Sequence, residues 1–192
     1  MAQPTAEVRD ARRRLRALRL ALAPPERSAA EFAIAATLAR LRIFTPGRRV
    51  AVYLAMRGEV DLAPAIAAAW RAGALLYAPR ITSRRRREIA FVPLAHGEPT
   101  RTGEFGIAEP LATAAMRLPV LRLDAVLLPV VGFDANGNRL GMGAGFYDRA
   151  LRGRQQLPRI EPSPWDVPLD VVVTENGIIH TGRRTPDPHE AG

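Results

Sequence analysis

A glycine-rich loop that closely follows the most apolar extended run constrains the fold of this chain more than any other feature. Residues 124–130 predict a buried strand, and Gly141, Gly143 and Gly145 follow it. A helix is predicted from about residue 145 to residue 152. This order of strand, glycine-rich loop and helix is typical of α/β sheets, which bind ligands beyond the carboxyl ends of their strands. We therefore expect the loop to lie at such an edge.

The spacing of the three glycines indicates an anion site. Glycine adopts backbone conformations closed to other residues and lets an anion approach the N–H groups at the start of the following helix. The sequence matches neither a Walker A motif nor a dinucleotide-binding fingerprint, so it indicates only phosphate or another anion. The alternative is a tight connection that requires positive φ angles.

Two charged residues flank the glycines and favour the phosphate interpretation. Arg139 precedes them and could cover a phosphate by bidentate contact. Asp148, in the first turn of the predicted helix, could hold Mg²⁺ directly or through water. For Asp148 the alternative is that its negative charge stabilises the helix N-terminus.

Two helices are predicted before the first strand. Pro24-Pro25 ends the first helix, and Ser28 with Glu31 has the spacing of a capping box that would start a second helix through about residue 41. The apolar stripe of the first helix recurs at steps of three and four residues and comprises Val8, Ala11, Leu15, Leu18 and Leu22.

Strands and helices alternate through most of the remaining chain. Strands are predicted over residues 50–54, 74–78, 89–92 and 169–174, with Pro79 ending the second of them, and a helix over residues 61–72. Residues 96–122 show no regular pattern. The alternation predicts one α/β domain over residues 6–180, a layered sandwich with a mostly parallel sheet. Residues 1–5 and 181–192 are expected to be disordered.

The composition narrows the chemistry that the chain can perform. It contains no cysteine, which excludes disulfides, thiolate metal sites and a cysteine nucleophile. All 28 basic side chains are arginine, so any phosphate must be bound by arginine or backbone N–H groups. The net charge of +9 raises nucleic-acid binding as an alternative, but the arginines are spread along the whole chain. No membrane span or secretory signal is predicted, and a cytoplasmic protein is expected.

Further candidate residues lie near the ends of predicted strands. Glu59 and Tyr53 would lie near the carboxyl edge of the sheet, or could be ordinary surface residues. Asp166 and Asp170 flank the last strand, and one of them could supply a second metal carboxylate or only cap a turn. The three histidines have no metal-ligand spacing and suggest no Ser-His-Asp arrangement.

Four ordered blocks of the sequence resemble the 5-formyltetrahydrofolate cyclo-ligases, also called methenyltetrahydrofolate synthetases. The most specific block runs from the strand at residue 125 through Gly132-Phe133-Asp134, Asn136-Gly137-Asn138-Arg139-Leu140-Gly141 and Gly145-Phe146-Tyr147-Asp148-Arg149. The other three blocks are residues 53–61, 106–110 and 165–175.

The resemblance implies a fold and a reaction. The fold would be the α/β sandwich shared with sugar-phosphate isomerases and CoA transferases. The reaction would convert 5-formyltetrahydrofolate and MgATP to 5,10-methenyltetrahydrofolate, ADP and phosphate, in a ligase that forms a C–N bond. The formyl oxygen would attack the γ-phosphate, and N10 would then displace phosphate as the ring closes. Such catalysis depends on positioning and charge neutralisation rather than on an enzyme nucleophile.

The resemblance also implies roles for individual residues. No obligate protein partner is expected. Arg139 and Asp148 would act directly on the reacting phosphate, and Asp148 and Asp166 would hold Mg²⁺. The folate would contact Leu54, Glu59, Met142, Gly143, Ala144, Gly145 and Phe146. ATP would contact Arg9, Arg12, Arg13, Arg139, Leu140, Gly141, Met142, Gly143, Ala144, Gly145, Phe146 and Tyr147.

One segment departs from the family pattern and motivates an alternative function. Residues 151–164 are shorter than the corresponding connection in the family and contain no strand-like run. Ala144 also stands where the family often has lysine or glycine. The alternative is therefore a catalytically impaired homologue that binds nucleotide or folate without turnover.

Overall fold

The computed structural model describes residues 6–56, 58–103, 106–134, 137–141, 146–151 and 169–181. The helices are α1 (Ala6–Ala21), α2 (Pro24–Arg40), α3 (Ala63–Arg71) and α4 (Phe146–Leu151). The strands are β1 (Arg49–Ala51), β2 (Leu75–Ser83), β3 (Glu88–Pro93), β4 (Thr100–Thr102), β5 (Ala108–Pro110), β6 (Ala125–Val126), β7 (Gly132–Phe133), β8 (Arg139–Leu140), β9 (Val171–Thr174) and β10 (Gly177–His180).

The main sheet has the strand order β3-β2-β1-β6. Strand β1 is parallel to β2 on one side and to β6 on the other, whereas β2 and β3 are antiparallel. Three antiparallel pairs, β4-β5, β7-β8 and β9-β10, lie outside this sheet. The predicted α/β fold with a mostly parallel central sheet is confirmed.

The alternation of buried side chains along β1 and the residue after it divides the core into two layers. Val50 and Val52 pack with residues of α2 and α3, whereas Ala51 packs with Phe91 and Leu123. Successive side chains of a strand point to opposite faces, so apolar residues at consecutive positions require cover on both sides. Helices α2 and α3 cover one face, and α4 packs near β3 on the other. None of the described helices is both long and apolar enough to cross a membrane.

Strand β2 continues through Pro79 to Ser83, so the prediction that Pro79 ends it is wrong. The Leu94 N–H donates to the Leu76 carbonyl. The backbone N–H and C=O groups of Leu76 and of every second residue after it therefore point toward β3, and those of the residues between them point toward β1. The nitrogen of Pro79 therefore lies on the side of β1, which has already ended, so the missing N–H breaks no ladder bond. Two residues later, the Ile81 N–H donates to the buried Glu109 carboxylate at 3.1 Å.

The predicted boundaries of two other elements are also wrong. Helix α2 begins at Pro24 rather than near Ser28, because proline lacks only an N–H that the first helical turn leaves unpaired. Glu26 accepts a hydrogen bond from the Ala23 N–H at 3.3 Å. The predicted strand 124–130 pairs only at β6, because the chain leaves the sheet after the Leu127 N–H bonds to the Ala51 carbonyl.

Asp124 fixes the position of β6 beside β1. Its carboxylate accepts hydrogen bonds from the Arg49 backbone N–H at 2.7 Å and from the Arg49 guanidinium, and its own N–H donates to the Arg49 carbonyl. The hydrogen bonds from the Arg49 side chain and backbone hold the pKa of Asp124 below its usual value. One carboxylate thus sets the register at the start of both strands.

The β9-β10 hairpin docks on the turn between β7 and β8 through Gly137. The Leu169 N–H donates to the Gly137 carbonyl at 2.9 Å, and the Thr181 hydroxyl donates to the carbonyls of Leu169 and Asp170. Thr181 is the first residue of the tail that was predicted to be disordered. It is buried, so the prediction is wrong for this residue. The remaining residues expected to be disordered, 1–5 and 182–192, lie outside the described part of the chain.

We expect Gly137→Ala to lower the free energy of unfolding by about 2 kcal/mol or more. Gly137 has a φ of 78°, and an added Cβ would lie 2.5 Å from the Leu169 carbonyl oxygen. The matched control is Gly97→Ala, because Gly97 has a φ of 77° and no atom within 4 Å of an added Cβ. That variant should lose only about 1 kcal/mol from backbone strain. Equal losses in urea unfolding of the two variants would show that Gly137 is not needed for close packing.

Candidate active site

A cavity opens where the order of the main sheet reverses. The chain passes from β1 to β2 on one side and later returns to place β6 on the other side of β1. Open α/β sheets bind ligands beyond the carboxyl ends of the strands at such a reversal. The cavity there has a volume of about 170 Å³. Its walls come from α1, α2, the segment after β1, residues 126–130, and residues 169 and 171–173.

A tight turn after β1 presents Glu59 to this cavity. Gly58 has a φ of 78°, and the Glu59 N–H donates to the Met56 carbonyl at 2.9 Å. The Glu59 Oε2 accepts a hydrogen bond from the Met56 N–H at 2.9 Å, and the side chain is buried. A buried carboxylate needs hydrogen bonds or a counter-charge to offset its lost hydration. One oxygen has a partner in the turn, and the residue as a whole lines the cavity.

Two tyrosines lie beside Glu59. The Tyr53 hydroxyl donates to the Val60 carbonyl at 2.9 Å and so closes the segment that carries Glu59. Burial, reinforced by the charge of Glu59, raises the pKa of both Tyr53 and Tyr147. The charge of Arg139 acts on Tyr147 in the opposite direction. These four residues therefore share one electrostatic environment.

Helix α1 packs against the site where two glycines leave room for its leucine side chains. An added Cβ at Gly58 would lie 2.6 Å from Leu20 Cδ2, and one at Gly132 would lie 2.7 Å from Leu15 Cδ1. The Arg12 Nε donates to the carbonyl of Gly141, the first glycine of the loop, at 2.9 Å. The helix thus reaches the glycine-rich loop through an arginine.

A second, more open cavity lies along α1. It has a volume of about 350 Å³ and is lined by Arg9, Arg12, Arg13, Arg16, Ala17 and Leu20. Arg13 also pairs with Asp10 at 2.9 Å across one helical turn, and both side chains are largely exposed. Four guanidinium groups on one surface, one of them bonded to the loop, form a site suited to a polyanion.

The hairpin formed by β7 and β8 positions Arg139. Arg139 pairs with Phe133, and Leu140 pairs with Gly132. At the turn, the Asp134 carboxylate accepts hydrogen bonds from the backbone and the side chain of Asn138 at 2.9 and 2.8 Å. The hairpin therefore holds Arg139 immediately before the glycine-rich loop.

The structure brings many of the predicted site residues to one region. Glu59, Tyr53, Arg139 and Tyr147 are close, and Leu54 packs against the core beside them. Arg12 joins the loop at Gly141, Phe146 begins α4, and Leu140 lies in β8.

Several predicted residues lie outside the described part of the chain. They are Met142, Gly143, Ala144, Gly145 and Asp166, together with the side chain of Asp148, whose backbone lies in the first turn of α4. In the ranges that are described, no three acidic or histidine side chains converge to hold a metal ion. The predicted roles of Asp148 and Asp166 stay predictions.

Arg19 was not among the predicted site residues, and only part of the predicted apolar stripe of α1 docks. Leu18 and Leu22, which belong to the predicted apolar stripe, are exposed. The face that docks carries Arg12, Leu15 and Arg19 at steps of three and four residues. This spacing is as regular as that of the apolar stripe and is typical of one face of a helix. A pattern of apolar residues alone does not include it, because two of the three positions are arginine.

Comparisons with known proteins agree in sequence and in fold. The model of the 5-formyltetrahydrofolate cyclo-ligase family matches residues 4–175. The 5-formyltetrahydrofolate cyclo-ligase of Escherichia coli K12 is 34% identical over 143 residues, covering 67% of this chain and 79% of that protein. The Haemophilus influenzae enzyme of the same name is 33% identical over 141 residues, 66% of this chain and 75% of that protein.

Two solved structures have a similar fold. The NMR structure of Aquifex aeolicus 5,10-methenyltetrahydrofolate synthetase aligns with a TM-score of 0.75 and 28% identity, covering 96% of this chain and 99% of that one. The Mycoplasma pneumoniae synthetase aligns with a TM-score of 0.67 at 23% identity, covering 88% of this chain and 99% of that one, which supports the fold alone.

The two buried tyrosines should remain protonated above pH 10.0, their ordinary pKa. Since the unfolded chain ionises first, their contribution to stability is complete below pH 10.0 and is lost as the pH rises further. We expect Tyr53→Phe and Tyr147→Phe each to leave the tyrosinate absorbance of the native protein just above pH 10.0 unchanged. Loss of one tyrosinate equivalent in either variant would show that the deleted side chain ionises normally.

Proposed function

The chain belongs to the 5-formyltetrahydrofolate cyclo-ligase family, and we propose that it converts 5-formyltetrahydrofolate and ATP to 5,10-methenyltetrahydrofolate, ADP and phosphate. The observation that carries this proposal is the contact between Arg12 and Gly141 at 2.9 Å. It joins the arginine surface of α1 to the glycine-rich loop, and Leu20 of the same surface packs against Gly58, the residue before Glu59. Helix α1 therefore connects a polyanion site to a largely apolar cavity.

The two cavities suit the two substrates of this reaction. Guanidinium groups bind phosphate oxygens by paired hydrogen bonds, so the surface with Arg9, Arg12 and Arg13 is the proposed nucleotide site. An apolar cavity with few polar groups suits a ring system, and Glu59 is the proposed folate contact there. Leu54, which packs against the core and follows Tyr53 in sequence, is a second proposed folate contact.

The proposed reaction requires positioning rather than an enzyme nucleophile. The formyl oxygen attacks the γ-phosphorus, and the bond from that phosphorus to the β,γ-bridging oxygen breaks to release ADP. N10 then attacks the formyl carbon and loses its proton, and the C–O bond breaks to release phosphate. Backbone N–H groups of the loop and the side chain of Arg139 would stabilise the charge that moves onto the phosphate oxygens.

Exclusion of water is the second task of the site. The phosphorylated formyl group would be hydrolysed if water reached it before N10 did. The cavity walls contributed by Ile34, Leu38 and residues 126–130 are mostly apolar, which favours ring closure over attack by water.

Mg²⁺ is a proposed requirement rather than an observed feature. The described residues hold no cluster of metal ligands, and the proposed ligands, Asp148 and Asp166, fall where no side chain is described. When bound there, the ion would neutralise charge on the ATP phosphates. No step above depends on its geometry.

The alternative of a catalytically impaired homologue is not favoured. It was motivated by the short segment 151–164, most of which lies outside the described residues. This chain nevertheless spans 99% of the Aquifex aeolicus synthetase at a TM-score of 0.75. The decisive experiment is a spectroscopic assay of methenyltetrahydrofolate formation with and without ATP and Mg²⁺. A folded protein that forms no product under complete conditions would defeat the proposal.

Replacement of Arg139 should weaken the use of ATP. We expect Arg139→Ala to raise KM for ATP about 10- to 100-fold, since a hydrogen bond to a charged group contributes about 1.5–3 kcal/mol. KM for the folate should change little. Arg149→Ala is the control, because Arg149 is an exposed arginine on the adjoining helix α4. Steady-state kinetics with each substrate varied in turn would measure both constants, and similar values for the two variants would remove Arg139 from the nucleotide site.

Replacement of Asp148 should affect turnover more than stability. Asp148→Asn keeps the shape of the side chain but removes its charge, so we expect kcat to fall about 100- to 1,000-fold while the melting temperature changes little. The Mg²⁺ concentration needed for half-maximal rate should rise as well. A normal metal dependence with a lowered melting temperature would instead indicate that Asp148 only stabilises the start of α4.

A further inference from the structure

Arg19 on α1 is a half-buried arginine whose role the proposed function leaves open. Its Nε has no hydrogen-bond partner in the part of the chain that the structure describes, although the atom is buried. The guanidinium lines the same cavity as Glu59 and Tyr53. A buried donor without a partner is uncommon in native proteins and costs about 1–3 kcal/mol. Such an atom is expected where a ligand supplies the missing acceptor.

The docking of α1 fixes Arg19 at this place. Leu20, the next residue, packs where Gly58 leaves room for it, and Glu59 follows directly in the turn. The Arg19 backbone carbonyl accepts a hydrogen bond from the Arg27 guanidinium at 3.0 Å, which ties the end of α1 to α2. The Arg19 backbone and the next residue, Leu20, are thus held by contacts that do not involve the Arg19 Nε.

Arg19 and Glu59 are not paired with each other. The ion pairs among the described residues do not include one between them, yet the charges of both act on the Tyr53 hydroxyl. Among the described residues, the Glu59 carboxylate accepts a hydrogen bond from the Met56 N–H, through Oε2. Within the described part of the chain, the cavity therefore offers the Arg19 Nε as a donor and the Glu59 carboxylate as an acceptor for complementary groups of one ligand.

The size and walls of the cavity decide which part of a folate enters. An apolar cavity on the order of 150 Å³ is sufficient for one aromatic ring, so about 170 Å³ suits a flat heterocycle. The walls of the cavity include Ile34, Leu38 and Leu128. Charged carboxylates of a glutamate tail would lose strong hydration against such walls, whereas a pterin ring is uncharged and needs polar partners only at its edge.

We infer that Arg19 is a specificity-determining residue that donates a hydrogen bond to the carbonyl oxygen of the pterin ring while Glu59 accepts from the neighbouring ring N–H and amino group. This inference rests on the proposed function for the identity of the ligand. Arg19 would recognise the carbonyl oxygen, which is the hydrogen-bond acceptor on this edge of the ring. If a ring carried an amino group in place of the carbonyl, that amino group and the Arg19 guanidinium would be two hydrogen-bond donors facing each other. Such a ring would be rejected.

Calorimetric titration of 5-formyltetrahydrofolate without ATP tests the inference separately from turnover. Arg19→Met removes the donors and keeps a long apolar stem, and we expect Kd to rise about 10- to 100-fold, as for loss of a charged hydrogen bond. Arg19→Lys keeps the charge without the guanidinium fork and should give an intermediate Kd. The control is Arg14→Met, since Arg14 is an exposed arginine of the same helix and should bind as the wild type does.

Two further measurements separate binding from a structural role. In the free protein, Arg19→Met should not lower the melting temperature, because it removes an unpartnered donor. A lowered melting temperature with unchanged Kd would overturn the inference. Arg19→Met should raise the Kd of 5-formyltetrahydropterin, which lacks the glutamate, by the same factor as the Kd of the folate. An unchanged Kd for the pterin would overturn the inference and show that Arg19 contacts the glutamate tail. A wild-type protein that binds the folate but does not turn it over would defeat the proposed reaction and leave Arg19 testable.

Discussion

The reversal of strand order at β1 is the constraint on which the site depends. Strand β1 is hydrogen-bonded to β2 on one side and to β6 on the other, and the Asp124 carboxylate locks the starts of β1 and β6 together. Because both strands then end within a few residues, their continuations separate. The space between them is the cavity, so its location follows from the topology, and its chemistry follows from the residues after each strand.

Helix α1 joins this cavity to the nucleotide side of the site. It has no fully buried residue, so ordinary core packing does not hold it in place. Its contacts are specific instead: Leu15 against Gly132, Leu20 against Gly58, and Arg12 on the carbonyl of Gly141. An amphipathic helix normally docks through an apolar stripe, but here arginines occupy part of the docking face. The same helix surface can therefore both complete the fold and bind anions.

Elements with a strong local pattern were predicted well, and elements defined by distant contacts were not. Helix α3 and strand β3 follow from hydrophobic periodicity and turn residues that flank them. The apolar run 124–130 predicted too long a strand, because residues lining an apolar cavity have the same composition as residues in a buried strand. The hairpins β4-β5 and β7-β8 were missed because their strands are only two or three residues long and are fixed by side chains such as Glu109 and Asp134. Arg19 was missed because its importance lies in an absent partner, which no pattern of residue types reveals.

The exclusive use of arginine gives the site a property that lysine would not. A buried lysine can lose its proton and so avoid the cost of an unpaired charge, whereas a guanidinium stays protonated at any pH at which the fold persists. The Arg19 Nε is a donor of this kind in a largely apolar cavity, and it has no partner among the described residues. Glu59 lies opposite in the same cavity with one oxygen bonded to the Met56 N–H. The orientation of a bound ring is then determined by two fixed polar groups in otherwise apolar walls, which is how small-molecule sites gain specificity with few contacts.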